Sequence, residues 1–337
     1  MKIVFMGTAE LSCASLEALA RDPRFPVAAV VTQPDQSRGR ASKKQPMLPV
    51  KSLAQKLNLP VLEPERARDE KFINELRGLA PDLIVVVAYG QILPPAILDL
   101  PRHGCLNVHT SLLPKYRGAA PIQWAIAHGD AETGVTIMKM DPGLDTGDIV
   151  AQRRTVIQPA DDSATLHARL AWLGAELLLA TIPDYTAVKI QSRPQSAEGV
   201  SHAPKIKKED GRIDWNRPAV ELWNRLRAFT PWPGAFTFLR GAGTARPREA
   251  EACGGPARAP VAGQVLPPRL LKIGRAEVVE KAGDAGTVLA ADKNGIVVAC
   301  GRGALRILEL QPEGGRRMSA AEFLAGHPLK AGVKFEA

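Results

Sequence analysis

The sequence predicts a two-domain α/β protein. A Rossmann-like, doubly wound and mostly parallel sheet is expected over residues 1–188, a linker over 189–208, and a smaller β-barrel over 209–337. Three observations carry this reading. Continuous apolar runs alternate with helical stretches through the first half, as strands do when helices cover both faces of a parallel sheet. Near Pro183 the chain turns polar and Pro-containing without clear periodicity, which is linker composition. Beyond it, short strands are broken by Gly and Pro, the pattern of a small barrel.

Taken in order, "KIVFMG" reads as a buried strand and residues 11–21 as the helix after it. "VAAVVT" and "DLIVVVAYG" supply the next strands, with a helical stretch around 71–79 between them. "CLNVH" follows as a short strand, then a helix opened by Pro121, then the strands "GVTIMKM" and "DIVAQRRTVI". Asp162 or Ser163 can cap a long amphipathic helix through 181, with Leu166, Leu170, Leu173, Leu177 and Leu178 on one face. In the second half a helix near 219–229 precedes "AFTFLR", "AGTVLAAD", "GIVVAC" and "ALRILELQ". The Ala-, Gly- and Pro-rich run 241–268 reads as loop.

Composition narrows the function. Apolar residues at 45% and charged residues at 23% are ordinary for a globular chain, and 337 residues suffice for two cores. Aromatics at 5% argue against recognition resting mainly on base stacking. The net charge of +9 suits a polyanionic partner, and it is uneven: the last 132 residues hold 21 basic against 14 acidic side chains. Cys13, Cys105, Cys253 and Cys300 form no CxxC, which fits reduced thiols in the cytoplasm rather than a disulfide framework. His103, Cys105 and His109 lie close along the chain, but their spacing matches no familiar metal-ligand pattern, so no metal is expected. No apolar run reaches ~18 residues, so no membrane span is expected. "MKIVFMG" enters a strand at once, leaving no room for a targeting peptide. "FMGTAELS" offers one glycine where a dinucleotide fingerprint needs three, and "GAGTAR" lacks the third glycine and the helix. The sheet is therefore expected to bind something else, still at the carboxyl ends of its strands.

Asn107 and His109 sit at such an end. Two apart on an extended segment, they point to one face. A lone histidine there is more often a satisfied structural residue, but the pair can act chemically. Asn gives an amide hydrogen to a carbonyl oxygen, and His carries or shuttles a proton. "MDPGLDTGDIV" adds Asp141, Asp145 and Asp148 in a Pro- and Gly-rich loop between two strands. Asp141 and Asp148 read as solvated carboxylates. Asp145 follows a turn that can fold the chain back over the sheet, where its charge would orient the His109 imidazole. Between Gln36 and Lys51, "QSRGRASKKQPMLPVK" holds five basic residues and no acid. It reads either as a solvated loop or as a basic finger suited to phosphates.

"NVHTSLLPKYRGAAPIQWAI" followed by "GDAETGVTIMKMDPGLDTGDI" closely resembles the methionyl-tRNA formyltransferase family, as do "VTQPDQSRGR", "VVVAYGQILP" and "RIDW…RAFTPWPGAF". The resemblance covers nearly the whole chain. It implies an enzyme that moves a formyl group from 10-formyltetrahydrofolate, the co-substrate, to the α-amino group of methionyl initiator tRNA. It further implies an OB-like second domain that contacts tRNA, no metal, and a monomer in the cytoplasm. The family's catalytic trio falls on Asn107, His109 and Asp145, and its folate-contacting segment on Ser111, Leu112, Leu113 and Pro114. Its tRNA contacts fall on Arg38, Arg40, Lys43, Lys44 and Lys207. Ala9 and Leu11 stand where the family carries a proline and an aromatic residue, and nothing residue-specific carries over to 242–283. Two rivals remain at the level of sequence. One is formylation of an amino sugar on a nucleotide, which shares the Asn, His, "SLLP" and Asp pattern but has no need of the basic loop and tail. The other is a non-catalytic RNA-binding protein on an old enzyme scaffold, against which the intact trio argues.

Overall fold

The computed structural model describes residues 1–35, 47–239 and 269–336. Two compact units divide the chain: 1–125 with 130–205, and 126–129 with 206–337.

The first unit opens with β1 (Ile3–Gly7), α1 (Leu11–Arg21), β2 (Val27–Val31), α2 (Pro49–Lys56), β3 (Val61–Leu62), α3 (Glu70–Leu79) and β4 (Leu83–Val87). It continues through α4 (Pro95–Leu98), β5 (Cys105–His109), β6 (Arg117–Gly118) and α5 (Pro121–Ala127). β7 (Glu132–Lys139), β8 (Ile149–Val156), α6 (Ser163–Thr186) and β9 (His202–Ala203) complete it. The main sheet runs β3-β2-β1-β4-β5-β7-β8. β3, β2, β1, β4 and β5 pair in parallel, while β7 and β8 join antiparallel. β1 and β4 are buried along their whole length, as the unbroken runs IVFMG and LIVVV require of central strands. The chain crosses over between β1 and β4, and a crevice lies beyond the carboxyl ends of β4 and β5.

Three expectations are corrected here. The long helix does not stop at 181; α6 runs through Pro183 to Thr186. Proline is least disruptive close to a helix end, and the carbonyls of Pro183 and Asp184 still accept the amides of Ala187 and Lys189. Lys51, counted in the basic run, lies in α2 and pairs with Asp35 at 2.7 Å and Glu63 at 2.8 Å. The stretch expected as linker packs along the first unit as far as Lys205. Arg193 exchanges both backbone hydrogen bonds with Ile149, and β9 pairs in parallel with β6.

The second unit contains α7 (Ala219–Ala228), β10 (Ala235–Leu239), β11 (Arg269–Val279), β12 (Val288–Asp292), β13 (Gly295–Ala299) and β14 (Ala304–Pro312). β15 (Met318–Ser319), α8 (Ala320–Gly326) and β16 (Phe335–Glu336) follow. An antiparallel sheet in the order β12-β13-β14-β11-β10-β16 curls into a half-barrel. Its core gathers Trp215, Leu222 and Leu226 against Ile273, Val298, Leu305, Ile307 and Phe323. β11 was not legible as a strand. Its pairing with β14 shifts register around Gly274, so its apolar residues lose strict alternation.

Candidate active site

β5 ends at the crevice. Alternation along it sends Val108 toward α6, where a side chain on Gly174 would collide with it, and leaves Asn107 and His109 on the other face. His109 is buried, and its Nε2 lies 2.9 Å from the Tyr116 carbonyl oxygen. A carbonyl oxygen only accepts, so Nε2 carries the hydrogen and donates it. Nδ1 is then the nitrogen available to reacting atoms, and it lies 3.7 Å from Asp145 Oδ2.

Asp145 reaches this point from the loop between β7 and β8 with a left-handed backbone, φ 54°. Gly118 N–H donates to its Oδ2 at 2.8 Å, and Asn107 Nδ2 approaches its Oδ1 at 3.5 Å. The loop is braced from within. Thr146 Oγ1 and the Gly143 amide both donate to Asp141, so this carboxylate folds its own turn rather than standing free in solvent. Gly147 lies so close to the Lys139 carbonyl that no Cβ would fit. Asp148 accepts from Ser192 Oγ at 3.2 Å.

Behind the trio stands residue stretch 116–118, whose Tyr116 carbonyl holds His109 and whose Gly118 amide holds Asp145. It is anchored from the supposed linker. Ser201 Oγ accepts the Tyr116 amide at 2.9 Å and the Ser201 carbonyl accepts that of Arg117 at 2.9 Å. Gln195 Oε1 accepts from Arg117 Nη2 at 2.7 Å, while its Nε2 donates to the carbonyls of Asp145 at 2.9 Å and Gly147 at 2.8 Å. These partners lie 48 or more residues apart in sequence, and many of them are backbone groups, so no local pattern announces them.

The trio opens on a cavity of about 520 Å³. Leu11, Val86, Leu93, Met138, Met140 and Pro142 give it an apolar wall, with Asn107, His109, Asp141 and Asp145 among its polar groups. Residues 88–93, which run from the end of "DLIVVVAYG" into the "VVVAYGQILP" of the resemblance, form one side of it. The Tyr89 carbonyl is fixed there by Thr8 Oγ1 at 3.0 Å and Gln33 Nε2 at 2.8 Å. Leu11, the departure from the family pattern, lies at the cavity wall. A mostly apolar cleft of this size with a few convergent polar groups suits a flat heterocycle with a small polar appendage.

The four residues expected to contact folate follow directly on Thr110, which lines the cavity. Ser111, Leu112, Leu113 and Pro114 are absent from the cavity lining. Leu113 N–H donates to Thr136 Oγ1, its carbonyl accepts from Gln152, and Ser111 Oγ donates to the Lys115 carbonyl. That bonding ties the segment to β7 and β8 and leads the chain into 116–118. Arg38, Arg40, Lys43 and Lys44 lie outside the described residues. Lys207 is exposed in the second unit, its backbone amide bonded to Asp210. Cys105 turns its Sγ toward the carbonyls of Ile97 and Leu98, and burial pushes its thiol up to about 12, which makes it a poor ligand or nucleophile. Among the described residues, no group of three His, Cys, Asp or Glu side chains could hold a metal ion. No helix among them is long and apolar enough to cross a membrane.

Comparison with known proteins is specific. Residues 1–182 match the family model described as formyl transferase, and 205–328 match that of the formyl transferase C-terminal domain. The chain is 50% identical over 331 residues to a methionyl-tRNA formyltransferase of Myxococcus xanthus, covering 98% of this chain and 96% of that one. It is 45% identical over 334 residues to the enzyme of that name from Geobacter sulfurreducens, covering 99% and 96%. Among solved structures, an N-formyltransferase from Helicobacter canadensis, in complex with folinic acid and dTDP-3-aminofucose, superposes with a TM-score of 0.61 at 17% identity, covering 91% of this chain and 99% of that one. HypX from Aquifex aeolicus in complex with tetrahydrofolic acid gives 0.56 at 17% identity, covering all of this chain and 50% of that longer one. At such identities these two structures speak to the fold alone.

Proposed function

The chain belongs to the methionyl-tRNA formyltransferase family, and from that premise we propose that it transfers the formyl group of 10-formyltetrahydrofolate to the α-amino group of methionyl initiator tRNA. The observation that carries this reading is the convergence of Asn107, His109 and Asp145 on one cleft of pterin size.

The donor supplies a formyl carbon whose oxygen gains negative charge as the amine adds. Asn107 has amide hydrogens to offer that oxygen. His109, with Nε2–H committed to Tyr116, meets it through Nδ1; in the doubly protonated ring Nδ1–H donates, and Asp145 balances the charge. Each such donor is typically worth ~3 kcal/mol of barrier. The nitrogen must also lose a proton, which the Asp145 carboxylate takes, directly or through a water, and returns to N10 of the folate as the carbon–N10 bond breaks. Because the amide of Gly118 and the side chain of Asn107 already fix that carboxylate, little reorganisation accompanies the step. Ser111, Leu112, Leu113 and Pro114 contact the folate, and their hydrogen bonds also set the turn that delivers 116–118. The acceptor is held by charge: Arg38, Arg40, Lys43, Lys44 and Lys207, together with the basic second unit, meet the tRNA backbone. The protein acts as a monomer in the cytoplasm, its trio drawn from one chain.

The test offers 10-formyltetrahydrofolate with methionyl initiator tRNA, methionyl elongator tRNA and a nucleotide-linked amino sugar in parallel. Formylation of the initiator tRNA alone is expected. Comparable kcat/KM on the amino sugar would overturn the assignment.

A further inference from the structure

We propose that Gln195, from the segment after α6, is a positioning residue for the reaction, acting through Asp145. This rests on the role given to Asp145 above. Its side chain bonds both the Asp145 loop and the 116–118 turn. Its Nε2 donates to the carbonyls of Asp145 and Gly147, and its Oε1 accepts two hydrogens of the Arg117 guanidinium, at 3.0 and 2.7 Å. Each half of the amide thus grips one of the two backbone pieces that the trio depends on.

The loop needs such a grip. Asp145 holds φ 54°, a region costly for a residue with a Cβ and kept only when its surroundings over-determine it. The single strong bond to its carboxylate comes from Gly118, next to the arginine that Gln195 also holds. A primary amide is the side chain that can do both tasks. The amino group donates to two carbonyls at once while the oxygen accepts from a guanidinium, all within one rigid plane. Glutamate would keep the arginine but set a carboxylate against two carbonyl oxygens. Alanine would release both.

The gripping position also follows from the fold. Arg193 is locked to Ile149 through both backbone hydrogen bonds, and Ser201 and Ala203 are locked to 116–118 and Ala120. Gln195 therefore hangs from a segment fixed on either side of it, and the side chain has little freedom to lose when it bonds the loop.

The experiment measures steady-state formyl transfer and melting temperature for wild type, Gln195→Ala, Gln195→Glu, Asp145→Asn, and Gln195→Ala combined with Asp145→Asn. Displacing a reacting group by about an ångström can cost ~100-fold, so Gln195→Ala is expected to lower kcat on the order of 10- to 100-fold with both KM values within about twofold of wild type. Gln195→Glu should be at least as slow while melting near wild type, which covers the case in which the alanine variant folds poorly. In the Asp145→Asn background the further loss from Gln195→Ala should shrink to about twofold or less, since the residue acts through a group already disabled. Full additivity, or a wild-type kcat in both Gln195 variants alongside a crippled Asp145→Asn, overturns the role of Gln195 alone. Wild-type turnover in Asp145→Asn itself would instead overturn the reading of Asp145, and this inference with it.

Discussion

At the scale of single residues, the site is built from two side chains that sequence announces and from backbone groups that it does not. Asn107 and His109 stand out because a strand gives polar residues two apart the same face, and a buried strand has no other use for them. Asp145 stands out less, since three aspartates share its loop. Only the three-dimensional path of the Pro- and Gly-rich turn separates it from Asp141, which spends its oxygens on Thr146 and Gly143. We expect His109→Ala and Asp145→Ala each to lower kcat ~10²- to 10³-fold while tRNA affinity stays near wild type. Single-turnover rates and filter binding would separate the two effects, and equal losses in both would deny these residues a chemical role. The Gly118 amide gives a sharper test, because Gly118 sits at φ 121° with the Ala203 carbonyl 2.7 Å from where a Cβ would stand. Gly118→Ala must push β6 from β9 and carry the amide away from Asp145. Turnover should fall toward that of the Asp145 variant, and normal turnover would show that the hydrogen bond is dispensable. Nothing in the sequence flags that amide, since every residue but proline has one.

At the scale of elements, the strands and helices of the first unit were legible because each keeps one period throughout: unbroken apolar runs for β1 and β4, helical spacing for α6. Failures cluster where period breaks without structure ending. β11 carries its register shift in mid-strand, and the segment 189–205 has no periodicity because it is held by isolated bridges and side chains rather than a ladder. α6 shows how an element's ends are secured. Asp162 accepts from the amides of Ala164 and Thr165, and Thr165 Oγ1 accepts from the Asp162 amide, a capping box. Asp162→Ala should cost about 1 kcal/mol of stability and lower the melting temperature by ~2–4 °C, with turnover unchanged. Its neighbour Asp161 is buried, which opposes ionisation, yet the guanidinium of Arg169 and the amide of Gln158 outweigh burial and hold its carboxyl below the ordinary 3.8. A carboxylate with a lowered folded-state value contributes stability above its unfolded value and loses it as pH falls through the folded one. Unfolding midpoints should therefore drop from about pH 4 downward, and Asp161→Asn should flatten that acid limb. An unaltered limb would assign the acid sensitivity to other carboxylates.

At the scale of the whole molecule, charge and chemistry are separated along the chain. The first 205 residues are nearly balanced, with 23 basic and 21 acidic side chains, and they contain the trio and its cleft. The last 132 hold most of the excess, and the one local exception in the first part is the basic run beginning at Gln36. Chemistry that depends on an apolar cleft and short hydrogen bonds is insensitive to salt, whereas phosphate contacts release counterions and are steeply sensitive. Raising ionic strength should therefore increase KM for tRNA on a log–log line while KM for the folate donor hardly moves. Each phosphate contact contributes a slope of roughly 0.7 to 0.9, so Arg40→Ala and Lys207→Ala should each flatten the tRNA line by about that amount, and the double variant by about the sum. Both residues would then touch the backbone independently, one in the basic run of the first unit and one at the start of the second unit. A slope unchanged by Arg40→Ala removes Arg40 from the tRNA surface. A slope unchanged by both, with the steep dependence intact, would move the whole contact to the remaining cations of the second unit, among which Lys281, Lys293 and Lys334 are exposed.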